Sequence, residues 1–248
     1  TIVSIGRGAF RNSGLLSIEL PEGLISIEEH AFQNSRIREI ELPESCTSLG
    51  VGAFQSSEIT SITIPESITD LPDNTFNNCK YLETVDLPLS LRTMGSNVFA
   101  GSSVTNLVIP DSVSNIGGRC FSGCERLEAV KLPDNNRFNE LSWALFENSA
   151  ITTLVVPNSI ESIHGDVFAN CKSLKSITLP ENRGFNYIGD NAFRNSAIEN
   201  VLVPDSVTSI GGGVFANCEN LTSVTIGKKV EQIQWGVFQG ASNFFTKP

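Results

Sequence analysis

The sequence lacks an excess of basic side chains. Among 248 residues, 17 are Lys or Arg and 27 are Asp or Glu, which gives a formal net charge of −10. Proteins that bind a phosphate backbone need clustered Lys and Arg, so we expect no nucleic-acid partner. No apolar run approaches the ~18–20 residues of a membrane span, so we expect no membrane insertion by this chain.

Patterns typical of catalysis or metal binding are also absent from the sequence. No Gly-x-Ser-x-Gly, phosphate-loop or His-Glu-x-x-His motif occurs. The only two histidines, His30 and His164, are far apart and show no paired ligand spacing. We therefore predict a protein that is not an enzyme and that needs no metal or other cofactor.

A short repeat marked by phenylalanine runs through the whole sequence. Its successive copies are 22 to 25 residues apart, a period typical of solenoids. Residue 1 already aligns within a repeat, and neither end has the polar cap that solenoids need. We therefore expect residues 1–248 to be a single repeat domain without a signal peptide, and a fragment of a longer protein. The repeat phenylalanines are Phe10, Phe32, Phe54, Phe76, Phe99, Phe121, Phe146, Phe168, Phe193, Phe215 and Phe238.

Two segments in each repeat predict extended structure. The first, as in Leu174-x-x-Ile177-x-Leu179, alternates apolar and polar residues before a proline. This pattern is typical of a short strand with one buried face, and the proline ends its hydrogen-bonded ladder. The second segment, as in Val207-x-x-Ile210, is β-branched and has no helix cap. We therefore predict a β-rich solenoid of about ten turns with little or no α-helix.

A turn signal follows each repeat phenylalanine at a fixed distance. Two positions later the chain has Asn or Gly in ten of eleven repeats, and Ser56 is the exception. Asn and Gly tolerate positive φ, so we predict a left-handed residue at this position, with the Asn side chains bonded to nearby backbone.

The next position holds only small side chains. Cys79, Cys124, Cys171 and Cys218 occupy it in alternate repeats, and the others have Ser or Ala. Because stacked strands lie ~4.8 Å apart, the nearest of these cysteines are ~9.5 Å apart, beyond the ~7 Å that a disulfide allows. We predict buried free thiols, with Cys120 and Cys124 as the one pair close enough to leave a disulfide open.

Four of the aromatic residues outside the phenylalanine column bear on the core or on binding. Phe138 and Phe185 follow two-residue insertions, and we expect both to reach inward and fill the core. Trp143 and Trp235 lie three residues before a repeat phenylalanine, in a column that we expect to face solvent because it also holds Arg7, Glu29, Asp73 and Asp190. Each tryptophan either lies flat over its neighbours or marks an interface.

The recurring pattern Ile-Gly-x-x-Ala-Phe-x-Asn-Cys-x-x-Leu-x-x-Ile-x-Ile-Pro-x-Ser-Val resembles the BspA-like leucine-rich repeat of bacterial and protist surface proteins. The resemblance covers essentially the whole chain, and one copy spans residues 206–226. The chain departs from the commoner leucine-rich repeat, in which Asn follows the strand, because Pro does so in this sequence. The resemblance implies a right-handed, curved solenoid of parallel strands, a role in adhesion or protein binding, and no catalytic residues.

The outward side of the first strand is the surface most open to a partner. Its side chains are mostly small and polar, but Val108, Val155 and Leu202 are apolar where the neighbouring repeats have polar residues. This alternation favours a binding role, while Ser, Thr and Val also suit any exposed strand. The predicted binding residues are Asp86, Val108, Lys131, Val155, Thr178 and Leu202.

These observations favour a non-enzymatic cell-surface module that binds a protein partner, such as a host-surface or matrix protein, through the concave face of the solenoid. The alternative is a passive spacer that projects another domain from the cell surface. A sugar-binding surface is less favoured because no aromatic residue lies in the outward columns. From the resemblance we expect the protein to be on the cell surface or secreted.

Overall fold

A computed structural model describes residues 2–241 as a parallel β-solenoid of about ten turns. No helix occurs among these residues. This architecture confirms the predicted fold class, including the second extended segment of each repeat. The prediction that residues 1–248 form one domain extends past the described residues and stays a prediction.

Each turn contributes one strand to each of two stacks, which we call sheet A and sheet B. Sheet A is built from the Leu-x-x-Ile-x-Leu segments, and its strands are β2 (Ser17–Ile18), β4 (Glu39–Ile40), β6 (Ser61–Thr63), β8 (Thr84–Asp86), β10 (Asn106–Val108), β12 (Ala129–Lys131), β14 (Thr153–Val155), β16 (Ser176–Thr178), β18 (Asn200–Leu202) and β20 (Ser223–Thr225). The strands of sheet B are β1 (Ser4–Ile5), β3 (Ser26–Ile27), β5 (Ser48–Leu49), β7 (Asp70–Leu71), β9 (Thr93–Met94), β11 (Asn115–Ile116), β13 (Glu140–Leu141), β15 (Ser162–Ile163), β17 (Tyr187–Ile188) and β19 (Ser209–Ile210).

The repeat phenylalanines form one continuous stack between the sheets. Neighbouring ring centroids are 5.1 to 5.9 Å apart, and ring planes differ by at most 16°. Nine of the eleven rings are fully buried, whereas Phe10 and Phe238, in the first and last described turns, are half-buried. Phe138 and Phe185 are also fully buried, so their predicted inward orientation is confirmed.

The backbone around each stacked ring is left-handed at two positions. The predicted position, two residues after the ring, has φ of 55° to 74° in all eleven repeats, including 57° at Ser56. The position two residues before the ring, which the sequence analysis missed, has φ of 53° to 70° in every repeat. It holds Gly or Asn in seven repeats, a signal that would have revealed it, and the other four have His30, Arg119, Ala144 and Asp166.

The predicted bonding of the asparagine side chains to nearby backbone is wrong. Asn34 instead donates its side-chain N–H to Asn12 Oδ1 (3.2 Å), and Asn195 donates to Asn170 Oδ1 (2.8 Å). The backbone N–H of each left-handed residue already donates to the next turn, as from Asn34 to the Gln55 carbonyl (2.9 Å). Stacking places equivalent amides within reach of each other, and an amide both donates and accepts.

Sheet A consists of separate strand pairs rather than one ladder. The pairs are β2–β4, β6–β8, β10–β12, β14–β16 and β18–β20, all parallel. In each of the last four pairs, the first turn has Ser directly after the left-handed residue that follows the repeat phenylalanine. The second turn has Cys at the same position. Within residues 2–241, no ladder pairing joins one pair to the next. The unit of sheet A is therefore two turns, which agrees with the alternation of Ser and Cys repeats.

Candidate functional site

The predicted binding residues all lie on the outward face of sheet A, each as the third residue of its strand. We call this surface the outer face. Val108, Val155 and Leu202 are 65%, 71% and 61% exposed, respectively. Asp86, Lys131 and Thr178 are also exposed and alternate with them along the stack. The structure thus brings the six residues onto one surface, in the order that the sequence analysis expected.

Each of these apolar residues stands beside a polar residue in its strand pair. Val108 aligns with Lys131 and Val155 with Thr178 across the parallel ladders. Leu202 aligns with Thr225 in the same way. One apolar side chain per strand pair gives a spacing of two turns, or ~9.5 Å, along the outer face.

An apolar groove runs beside the outer face in the second half of the chain. Val155 and Leu202 form one wall, and the nearly buried side chains of Val156, Leu179 and Val203 form the floor. Two connected depressions of about 630 and 650 Å³ make up this groove. The sequence analysis identified the wall but missed the floor, since residues just before the prolines were assigned to the core alone.

An acidic groove occupies the equivalent place in the first turns of the solenoid. Its two connected depressions measure about 700 and 690 Å³. Six exposed carboxylates line it, and none of them is in an ion pair within the described part of the chain. They are Glu19, Glu22, Glu39, Glu41, Glu44 and Asp86.

The two insertions use the same asparagine clamp. The Asn182 amide group donates to the Asn158 and Ile160 carbonyls of the preceding turn (2.7 and 2.8 Å). Its Oδ1 accepts from the backbone N–H groups of Gly184 and Phe185 (2.6 and 2.7 Å). The other insertion repeats this arrangement with a second asparagine. The clamps replace the backbone hydrogen bond to the proline carbonyl that the other repeats form after the strand. The Asn182 clamp also places Arg183 at the rim of the apolar groove.

The cysteine side chains are buried and unpaired, as predicted. All six are free, including Cys120 and Cys124. In the column of small residues, each thiol donates to a carbonyl of the preceding turn, as from Cys171 to Phe146 (3.0 Å). Burial raises the pKa of the Cys171 thiol to about 12 and that of Cys124 to about 11. Such thiols stay protonated near neutral pH and are poor nucleophiles or metal ligands.

Polar and aromatic groups elsewhere form small separate contacts. The His30 side chain lies 3.2 Å from the Glu29 carboxylate. In a distant part of the solenoid, the His164 side chain lies 3.1 Å from the Glu140 carboxylate. Among residues 2–241, no cluster of three metal-ligating side chains occurs, and no helix is long and apolar enough to span a bilayer.

Trp143 is fixed by its neighbours. The Arg119 guanidinium lies 4.2 Å from its ring centroid, and its Nε1–H donates to Asp166 Oδ2 (3.2 Å). This arrangement supports the interpretation that Trp143 lies flat over adjacent turns. Trp235, in the last described turn, is 83% exposed.

Comparison with solved structures identifies bacterial leucine-rich repeat proteins of the same fold. The chain is 20% identical to the pneumococcal vaccine antigen PcpA, covering 99% of this chain and 75% of that one, with a TM-score of 0.69. A leucine-rich repeat protein from Bacteroides ovatus is 24% identical (97% and 80% covered, TM-score 0.59). A leucine rich cell surface protein from Faecalibacterium prausnitzii is 22% identical (98% and 81% covered, TM-score 0.53).

Sequence comparison gives the family of the chain. None of the curated protein sequences compared with it matches significantly. The family pattern described as the BspA type leucine rich repeat region matches six copies, over residues 3–128, 92–220 and 139–245. These overlapping matches cover nearly the whole chain, and the strand, turn and phenylalanine positions agree with the repeat in the structure. The chain belongs to the BspA-type leucine-rich repeat family.

Proposed function

We propose that this chain is a non-enzymatic, cell-surface protein-binding module that contacts its partner through the outer face of sheet A, on the concave side of the solenoid. Val108, Val155 and Leu202 supply the apolar contacts in this proposal. Asp86 and Lys131 set the charge complementarity, and the Thr178 hydroxyl adds a polar contact.

One observation carries the proposal: three large apolar side chains, each more than 60% exposed, stand in line on the outer face, and two of them, Val155 and Leu202, border an apolar groove. Single exposed apolar residues are ordinary on protein surfaces, but contiguous apolar patches mark interaction sites, and the floor of the groove joins Val155 to Leu202. The stacked turns hold this surface rigid, so it loses little conformational entropy on binding. The family and its cell-surface structural relative support the location.

The test compares the purified chain with a V108T/V155T/L202T variant for binding to matrix and host-surface proteins immobilised on a sensor chip. Threonine keeps β propensity while removing apolar area. The control is I25T/V51T, which makes the same kind of change at exposed residues away from the outer face. We expect binding to weaken about tenfold or more in the triple variant only, equivalent to ~1.4 kcal/mol or more.

Two results would contradict the proposal. Equal weakening in both variants indicates a general loss of surface hydrophobicity, and unchanged binding of the folded triple variant places the site elsewhere. If the unmodified chain binds no member of the panel, the spacer function is favoured instead. Thermal unfolding of each variant shows whether the fold is intact.

A further inference from the structure

Leu89 has one of the most exposed apolar side chains in the described part of the solenoid, at 77%. Between the first and last described turns, four large apolar side chains are more than 60% exposed. Three of them are Val108, Val155 and Leu202 of the outer face, and Leu89 is the fourth. A single exposed apolar residue needs no explanation, so the place of Leu89 in its turn decides whether it belongs to the same surface.

Leu89 occupies a position that lines the grooves in other turns. It directly follows the proline that ends its sheet A segment. Residues that follow the equivalent prolines line the acidic and apolar grooves together with the outer face, and all of them are polar: Glu22, Glu44, Asp134, Asn158, Glu181 and Asp205. We call this row of residues the second wall. Among the nine residues that follow these prolines, Leu89 is the one apolar side chain.

The backbone at Leu89 is held as it is elsewhere along the second wall. The Glu66 carboxylate accepts from the backbone N–H groups of Leu89 and Ser90 (3.0 Å each), and the Ser90 hydroxyl donates to the Glu66 carbonyl (2.7 Å). The same kind of bond joins the Asp134 N–H to Asp111 Oδ1 (3.0 Å) in another pair of turns. A backbone fixed in this way loses little conformational entropy when Leu89 contacts a partner.

The turn of Leu89 lies where the acidic groove meets the apolar residues of the outer face. Asp86 of this turn is at one end of the acidic groove, and Val108 belongs to the next turn. The six carboxylates of the acidic groove have no ion-pair partner among the described residues, so they attract basic groups. A segment that follows the grooves past this turn would therefore meet carboxylates on one side of Leu89 and apolar side chains on the other.

We propose that Leu89 is a fourth apolar contact of the partner-binding surface, and that the partner presents a protein segment in which apolar side chains stand next to basic ones. This inference rests on the proposed function of the outer face. It extends the binding surface to the second wall and names the chemistry of the ligand. Exposed apolar side chains on a rigid turn are suited to such contacts because their burial removes apolar area from water.

The probe is a phage library of short random peptides, panned on the purified, immobilised chain. Enriched peptides are synthesised, and their binding is measured by isothermal titration calorimetry. The test variant is L89N, because Asn158 occupies the same position in another turn and Asn is close to Leu in size. The control is Y81N, since Tyr81 is 59% exposed in the same turn and its equivalents line neither groove.

We expect the enriched peptides to contain Lys or Arg next to apolar residues. L89N should weaken their binding about tenfold or more, equivalent to ~1.4 kcal/mol or more, while Y81N should change it by less than about twofold. D86N should weaken binding at low salt and reduce its salt dependence, because it removes the carboxylate in the turn of Leu89. L89N should leave the salt dependence unchanged.

Equal binding of the enriched peptides to L89N and to the unmodified chain overturns the inference, as does the absence of any enriched peptide. Enriched peptides without basic residues overturn the stated chemistry of the ligand. The sensor-chip assay with matrix and host-surface proteins still reports on the proposed function in each of these cases.

The triple variant V108T/V155T/L202T separates failure of this inference from failure of the proposed function. Peptides that lose binding to the triple variant but not to L89N would retain the outer face and reject Leu89. Peptides that lose binding to L89N alone would retain Leu89 and reject the outer face. Thermal unfolding of each variant shows whether the fold is intact in these comparisons.

Discussion

Replacing a central ring of the phenylalanine stack should strongly destabilise the solenoid. Phe168 is fully buried between Phe146 (5.8 Å between centroids) and Phe193 (5.1 Å). Deleting a buried ring removes its transfer free energy and leaves a cavity, which costs ~3–5 kcal/mol in proteins. Within that cost, each stacked pair accounts for ~0.5–1.5 kcal/mol beyond area burial. We therefore expect Phe168→Ala to lower the free energy of unfolding by about 4 kcal/mol.

Two control variants separate the causes of this loss. Phe168→Leu keeps most of the apolar volume and should cost less than about 2 kcal/mol. Phe10→Ala removes a half-buried ring that stacks on Phe32 in the first described turn and should cost less than half as much as Phe168→Ala. Urea unfolding followed by circular dichroism measures all three. Because stability in repeat proteins depends on neighbouring turns, Phe168→Ala is also expected to split the transition in two. Equal costs at positions 168 and 10 would refute the idea that the stack is the central stabilising element.

Three further predictions concern backbone conformation, the clamps and pH. Ala144 has φ of 53°, whereas Ala53, which is equally buried, is not left-handed. The free energy of unfolding in urea should therefore be ~1–2 kcal/mol higher for Ala144→Gly than for Ala53→Gly. Equal free energies for the two variants would contradict left-handed strain at Ala144. Asn182→Asp turns two donated hydrogen bonds into repulsive oxygen contacts and should lower thermal stability by ~1–3 kcal/mol, whereas the exposed Asn136→Asp should change it little. Between pH 9 and 12 the Cys171 thiol ionises only in the unfolded chain, so stability should fall with pH by up to ~1.4 kcal/mol per pH unit. Cys171→Ser should flatten that fall, and an unchanged slope would show that this thiol contributes nothing to it.

Much of the fold could be predicted from the sequence because each turn repeats the same physical requirement. The phenylalanine column, the left-handed residue after it and the buried Phe138 each follow from residue types that recur in phase. The left-handed position before the ring was missed because His30, Arg119 and Ala144 occupy it despite their steric cost. Contacts to the adjacent turns impose the conformation there, as in the bond from the His30 N–H to the Val51 carbonyl (3.0 Å).

The candidate site was predicted less completely, for a different reason. The exposed column of Val108, Val155 and Leu202 is visible in the sequence because strand residues alternate between the two sides of a sheet. The grooves are lined instead by sheet A together with the segments after the prolines. Periodicity assigns Leu179 and Val203 to the core, and both are almost fully buried, so their position at the floor of a groove could not be recognised from periodicity alone.

The division of sheet A into two-turn units explains why its surface has a period twice that of the fold. In the Ser repeats, the residue after the strand donates a backbone hydrogen bond to the following Cys repeat, as from Val156 to the Thr178 carbonyl (3.0 Å). No described bond of this kind links a Cys repeat to the next Ser repeat. The two strands of a unit therefore occupy different environments, and their outward residues can differ consistently, as Val155 and Thr178 do. A surface whose chemistry repeats every ~9.5 Å rather than every ~4.8 Å follows from this asymmetry, and its binding preference should change if the Ser and Cys repeats were made identical.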